Sequence, residues 1–297
     1  MGTDAYADAA GLVARSAAAY VSSVPTGPAD DGFFGPASIT WQLSGDLSSI
    51  VAGLRALLVQ ALHPLAMAGV DQHSDWRRDP VGRLAATSSY LATVSFGDRA
   101  AAEHAAARVR RIHEHVRGTD PVTGRPYAAS DPALLLWVHA TLVESTVVAC
   151  ELFGTPLAPA DGDRYVTEMA VAAELVGIPA ALVPLDLAGL RLYLSSVRNE
   201  LRCTPAAADA AAFLLDPPGL DPDIAEIWQD IRDGATAAMP DWALQMYGYH
   251  PAGAPTPARR AEIRQALGVL DVVFLGEPGV LEARQRIALR MRAAQRA

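Results

Sequence analysis

The segment HEHVRG, residues 113–118, puts His113 and His115 close together near the end of a helix-like stretch. Each helical residue turns about 100°, so the two imidazoles cannot face the same way. On a helix continuing to Arg117, the plainest apolar stripe is Ala105, Val109, Ile112 and Val116. His104, Arg108, Arg111 and His115 form a basic flank suited to solvent, whereas Ala102, Ala106 and His113 form a smooth flank of small residues. Small side chains let a flat object approach a helix closely. His113 is therefore the candidate to face inward, either toward such an object or as a core-edge histidine bonded to a carbonyl.

The other histidines narrow the metal chemistry. None of the seven has a glutamate three residues before it, which removes the di-iron bundle pattern. There is no His-x-x-x-His and no Cys-x-x-Cys, so zincin and structural zinc patterns are absent. Cys-x-x-Cys-His is absent too, which excludes covalent c-type haem. A single-histidine site remains, and non-covalent haem fits it best, with His113 as the iron ligand.

His139, in LLLWVHATLVES, is the alternative ligand or a satisfied core histidine, because an unpartnered imidazole in an apolar helix is costly. Glu144 lies about 140° around the same helix and needs an arginine or hydrogen-bond donors. Arg83 is expected to meet it. In GRLAATSSYL, Arg83, Thr87 and Tyr90 fall at i, i+4 and i+7 on one helical face. That stripe is either a solvated face or a distal wall, in which arginine holds a haem carboxylate or polarises oxygen and threonine bonds a ligand.

These groups must be carried by helices. Alanine and leucine dominate a chain of 297 residues that is 51% hydrophobic and only 6% aromatic, a composition that favours helix over sheet. Helices are predicted over 46–62, ended by Pro64, over 80–95, and over 99–117 with Asp98 as cap and Gly118 as stop. The apolar segment 131–153 should be the central helix. Further helices are predicted near 161–175, 185–199, 205–215, 221–235, 257–273 and 279–295, and GTDPVTGRPYAASDP reads as loop. No period-2 alternation or internal repeat occurs. The expectation is an all-α fold of about eight to twelve helices, a single globular domain enclosing a haem pocket. It occupies 31–297, after an Ala-rich segment and a Pro/Gly linker within 1–30.

A net charge of −9 gives no reason to expect nucleic-acid binding, and all 24 basic residues are arginine, so no lysine amine is available. The longest apolar run, from Ile50 to Val70, is broken by Arg55, Gln60 and His63–Pro64 and reads as a buried helix and its exit rather than a membrane span. No basic stretch precedes an apolar one, so a soluble, cytoplasmic protein is expected, with Cys150 and Cys203 as free thiols.

The segments LLVQALHPLAMAGVDQHS, DPVGRLAATSSYLATVSFGD, VRRIHEHVRGTDPVTGRPYAASDPALLLWVHATLVES and the later YGYH, within residues 30–250, resemble the MpaB-like oxygenase family, which includes the latex-clearing rubber oxygenase. The resemblance implies an all-α fold, one non-covalent b-type haem and dioxygen chemistry. It implies His113 as the proximal ligand, and Arg83 and Thr87 as the ends of an Arg-x-x-Lys-Thr pattern whose lysine position is Ala86. That lysine can fill the iron's sixth position in the relative. Here the position should be open, water-bound or held by another histidine, His139 or His63, although His63, just before Pro64 at a helix exit, reads first as a structural cap. The relative also uses an upstream glutamate as base, and only Met67 and Gly69 stand near the corresponding place, which argues against rubber cleavage. The leading expectation is a haem b oxygenase acting on an apolar small molecule with O2. The alternatives are a non-catalytic haem sensor or carrier, and a cofactor-free helical protein that binds apolar ligands.

Overall fold

The computed structural model describes residues 32–220, 222–251, 253–275, 288–289 and 291–292. Helices α1 (Ile39–Gly45), α2 (Ser48–Ala61), α3 (Pro64–His73), α4 (Pro80–Phe96) and α5 (Arg99–His113) lead into a hairpin of β1 (Arg117–Thr119) and β2 (Pro126–Ala128). Helices α6 (Pro132–Phe153), α7 (Asp161–Leu175), α8 (Leu187–Ser196), α9 (Pro205–Leu215), α10 (Pro222–Ala238), α11 (Asp241–Met246) and α12 (Pro257–Leu275) follow. The antiparallel hairpin pairs Arg117 with Ala128, Gly118 with Tyr127 and Thr119 with Pro126. The described residues thus form one all-α domain with a minimal sheet, as the composition predicts.

Helix α6 is central, and its sequence explains why. The Asp131 carboxylate accepts from Ala133 N at 2.9 Å, Pro132 suits the first turn, and the helix stops before Gly154. Its apolar surface continues nearly all round, so it is covered on several sides. Helix α2 lies along it, and Val51, Leu54 and Leu58 join Trp137, Ala149 and Phe153 in a core that α10 and α12 extend. On another side Ala140, Val143 and Val147 meet Tyr165, Val166 and Met169 of α7 and Leu190 of α8. Among the described residues α6 alone is by itself long and apolar enough to cross a membrane, and 67% of its most apolar window is buried by these neighbours.

Several boundaries differ from the sequence reading. Pro64 does end α2, but it also opens α3, and the two axes meet at 102°. The break works because Pro64 is in a first turn, where a missing N–H costs nothing, and His63 caps it, with Nδ1 3.5 Å from Ala66 N. Helix α5 ends at His113, not at 117, because the chain turns into β1. The short α1 and α11 were also unpredicted, and the predicted loop holds the hairpin. The predicted helix over 279–295 is described only at 288–289 and 291–292, which are helical. The Ala-rich segment and linker of 1–30 lie outside the described residues. Cys150 and Cys203 are free thiols.

Candidate functional site

Helix α4 begins where the Asp79 carboxylate accepts from Gly82 N at 2.7 Å, with Pro80 in the first turn. Arg83 therefore sits at the positive end of the helix dipole, where a cation is disfavoured. Arg83, Thr87, Tyr90 and Val94 then follow one helical face. Val94 is buried in the cluster that holds Ala140 and Val143 of α6, and Tyr90 packs against its edge. That face thus points inward. Yet none of the residues from Gly82 to Leu91 is fully buried, whereas Ala92, Val94, Ser95 and Phe96 all are. Toward its N-terminus α4 is less covered, and Arg83, Ala86 and Thr87 are exposed, as the solvated-face alternative expects of them.

His113 stands at the last residue of α5, the helix antiparallel to α4. Ala102 and Ala106 on the same flank are completely buried, while Ile112 on the expected apolar stripe is 51% exposed. The flank of small residues is therefore the inward one. His115 is exposed, with Nδ1 2.8 Å from Arg111 O. The His113 Nδ1 is buried and has no hydrogen-bond partner. The expectation of a core-edge histidine bonded to a carbonyl is not met. Burial lowers the His113 pKa, and the nearby Arg83 charge lowers it further, so the ring is held neutral and the two groups are neighbours.

Arg83 forms no ion pair or hydrogen bond through its side chain among the described residues. The residue is exposed, while neighbouring protein atoms crowd the guanidinium enough to lower its pKa. The Thr87 hydroxyl donates to Arg83 O at 3.0 Å, so its oxygen can still accept. Burial pushes the Tyr90 phenol up to about 12, with Arg110 pulling the other way, so it stays a neutral donor.

His139 lies one helical turn before Val143 on α6. It is half-buried, and burial pushes its pKa down to about 4. Its ring is neutral and makes no hydrogen bond among the described residues, so within them it is not the satisfied core histidine of the alternative expectation. Glu144 is a correction. It does not meet Arg83; its Oε2 is 2.7 Å from Arg55 Nη1 on α2. Arg55, which is 2% exposed, also donates to Ser145 Oγ at 2.6 Å and to Ala238 O at 2.8 Å. Glu144 thus serves a structural pair between α6 and α2 and is not available to a cofactor through Arg83. The signal lay in the sequence, since Arg55 is the one charge in α2 and Glu144 the one charge in the middle of α6, where only Glu151 near the end joins it. His63 takes the structural-cap role expected of it and not the reserve-ligand one. It is buried as the α3 cap beside Trp137, with ring centroids 5.8 Å apart, on the opposite side of α6 from His139.

Arg83, Thr87 and Tyr90 thus share one face of α4, with His113 of α5 close enough to feel the Arg83 charge, while Glu144 and His63 are engaged elsewhere and His139 makes no hydrogen bond with this group among the described residues. Among the described residues no three His, Cys, Asp or Glu side chains cluster as a metal site. A metal beside His113 would have to arrive with most of its own ligands.

Comparisons with curated proteins and with solved structures return no match to the chain. A family model described as ER-bound oxygenase mpaB/B'/Rubber oxygenase, catalytic domain, matches residues 41–272, from α1 into α12, and so takes in every helix of the site. The chain belongs to this family of oxygenase catalytic domains.

Proposed function

We propose that the chain is a haem b-dependent oxygenase acting on an apolar small molecule. The observation that carries this reading is His113, an imidazole whose buried Nδ1 is unbonded, set beside Arg83, whose side chain has no ion pair among the described residues. A flat macrocycle brings four of its own metal ligands, and the exposed N-terminal part of α4 beside the half-buried His113 at the end of α5 is where this reading puts it. Bound there, haem would supply dioxygen activation, redox chemistry that no side chain here supplies.

The chain's own residues would then have distinct tasks. His113 offers the axial nitrogen, and both burial and the Arg83 charge keep its lone pair free of a proton. Arg83 places a desolvated positive charge where it can hold a carboxylate of the macrocycle or stabilise negative charge developing on dioxygen. Thr87 and Tyr90 add an acceptor and a donor along the same face. His139, a neutral imidazole on α6, is the candidate second contact to the macrocycle or its ligand. Half-buried Leu142 and the 42% exposed Val138 beside it offer apolar surface to a substrate.

A non-catalytic haem sensor or carrier is the second reading, favoured by Ala86, which puts a methyl group where the family pattern has an amine. Reconstitution with haemin tests the shared premise. The wild type should take up haem and give a b-type pyridine haemochrome spectrum. His113→Ala should lose haem or its axial ligation. A wild-type spectrum in His113→Ala would remove His113 from the assignment.

A further inference from the structure

Ligating histidines are usually oriented by a hydrogen bond from the second ring nitrogen. His113 makes none, so the orientation of its ring must come from its backbone. The chain directly after it is held unusually well. Val116 N donates to His113 O at 3.2 Å, and Ala129 N donates to Val116 O at 2.8 Å, tying the end of α5 to the hairpin. The Val116 side chain packs against Leu65, Ala68, Tyr127 and Leu134.

The hairpin is in turn fastened to the C-terminal end of α3. Gln72 Nε2 donates to Thr119 O at 3.0 Å, and Tyr127 Oη donates to Gln72 Oε1 at 2.9 Å. His73 Nε2 lies 3.2 Å from Arg117 O, where it must carry the proton to bond a carbonyl. The His73 ring also meets the Tyr127 ring edge-on, with centroids 6.2 Å apart. Gly118 is where the pieces close: a Cβ there would come within 2.7 Å of Tyr127 Oη and 2.9 Å of Gln72 Oε1. DQHS and GRPYA, which carry no chemistry of their own, thus converge on the residues that follow His113.

We propose that Gln72, His73 and Tyr127 form a latch that holds the α5–hairpin junction and thereby sets the orientation in which His113 meets the iron. They are positioning residues, and the inference rests on His113 being the ligand. A side-chain latch on α3 takes the place of the missing hydrogen bond on the imidazole.

The test uses full-length chain loaded with haemin, comparing wild type with Tyr127→Phe, Gln72→Ala and Gly118→Ala. The readouts are the iron–histidine stretching band of the reduced protein by resonance Raman and the rate of haem transfer to apomyoglobin. Asp186→Ala, which removes the cap on α8 at Gly189 N, is a control for loss of stability alone. The latch predicts a shifted or broadened iron–histidine band and haem release about tenfold faster in the latch variants, with neither change in the control. Gln72 is exposed, so Gln72→Ala keeps the test open if the other two fold poorly. A wild-type band and release rate in Gln72→Ala would overturn the latch while leaving His113 as ligand. Failure of the wild type to take up haem would overturn both.

Discussion

Arg55 Nη1 and Glu144 Oε2 sit 2.7 Å apart between α2 and α6, with Arg55 closed off from solvent and also bonded to Ser145 Oγ and Ala238 O. Three helices, α2, α6 and α10, are joined by one guanidinium. Removing one partner of such a pair strands the other charge in the core. Arg55→Ala should therefore destabilise the fold by about 3–5 kcal/mol, read as a lower urea midpoint. The double variant Arg55→Met, Glu144→Gln should recover much of that loss, because neither side then buries a charge. A midpoint for Arg55→Ala equal to wild type would show the pair to be unimportant.

His139 gives the fold a pH dependence of definite sign. Its folded pKa of about 4 is below the ordinary histidine value of 6.5, so the unfolded chain takes up a proton first as pH falls. Stability is therefore fully present above about 6.5, is lost progressively as pH falls toward 4, and changes no further from this group below that. His63 and His113 are shifted in the same direction by burial and add to the slope. His139→Leu should flatten part of the stability profile between those limits by a few kcal/mol, measured as urea midpoints at several pH values. An unchanged profile would mean that His139 titrates normally in the folded chain.

Arg83 acts on His113 before any cofactor is present, since its charge lowers the His113 pKa. In Arg83→Ala the His113 ring should titrate at higher pH, which NMR of the haem-free chain reads directly. In the haem-loaded chain the same variant should retain haem while its reduced form reacts with dioxygen about 10²-fold more slowly. Unchanged reaction kinetics by stopped flow would take Arg83 out of the chemistry.

Helix α6 was legible almost residue by residue, because Asp131, Pro132 and Gly154 mark its ends and its apolar content marks its depth. The Asp98 cap of α5 was equally clear, its carboxylate accepting from Ala101 N at 2.7 Å. The other end of α5 was not. No strong stop follows His113, and the chain leaves the helix there because Gln72, His73 and Tyr127 hold the hairpin, contacts that join segments far apart in sequence. A structural cap was expected at His63, but Pro64 was read only as a stop, although a proline that ends one helix also suits the first turn of the next. The inward aspect of His113 was legible from Ala102 and Ala106, whose small side chains allow close approach. The partner of Glu144 was not, because helical periodicity says which residues share a face but not which helix lies opposite.

The central claim is that the chain holds haem through His113, beside Arg83. The most direct measurement is the UV–visible spectrum of freshly purified chain, before and after dithionite and then carbon monoxide. The account predicts a strong Soret band that shifts on reduction and again with carbon monoxide, and that is lost or altered in His113→Ala. A chain that shows no Soret band, even after haemin is added, would contradict it.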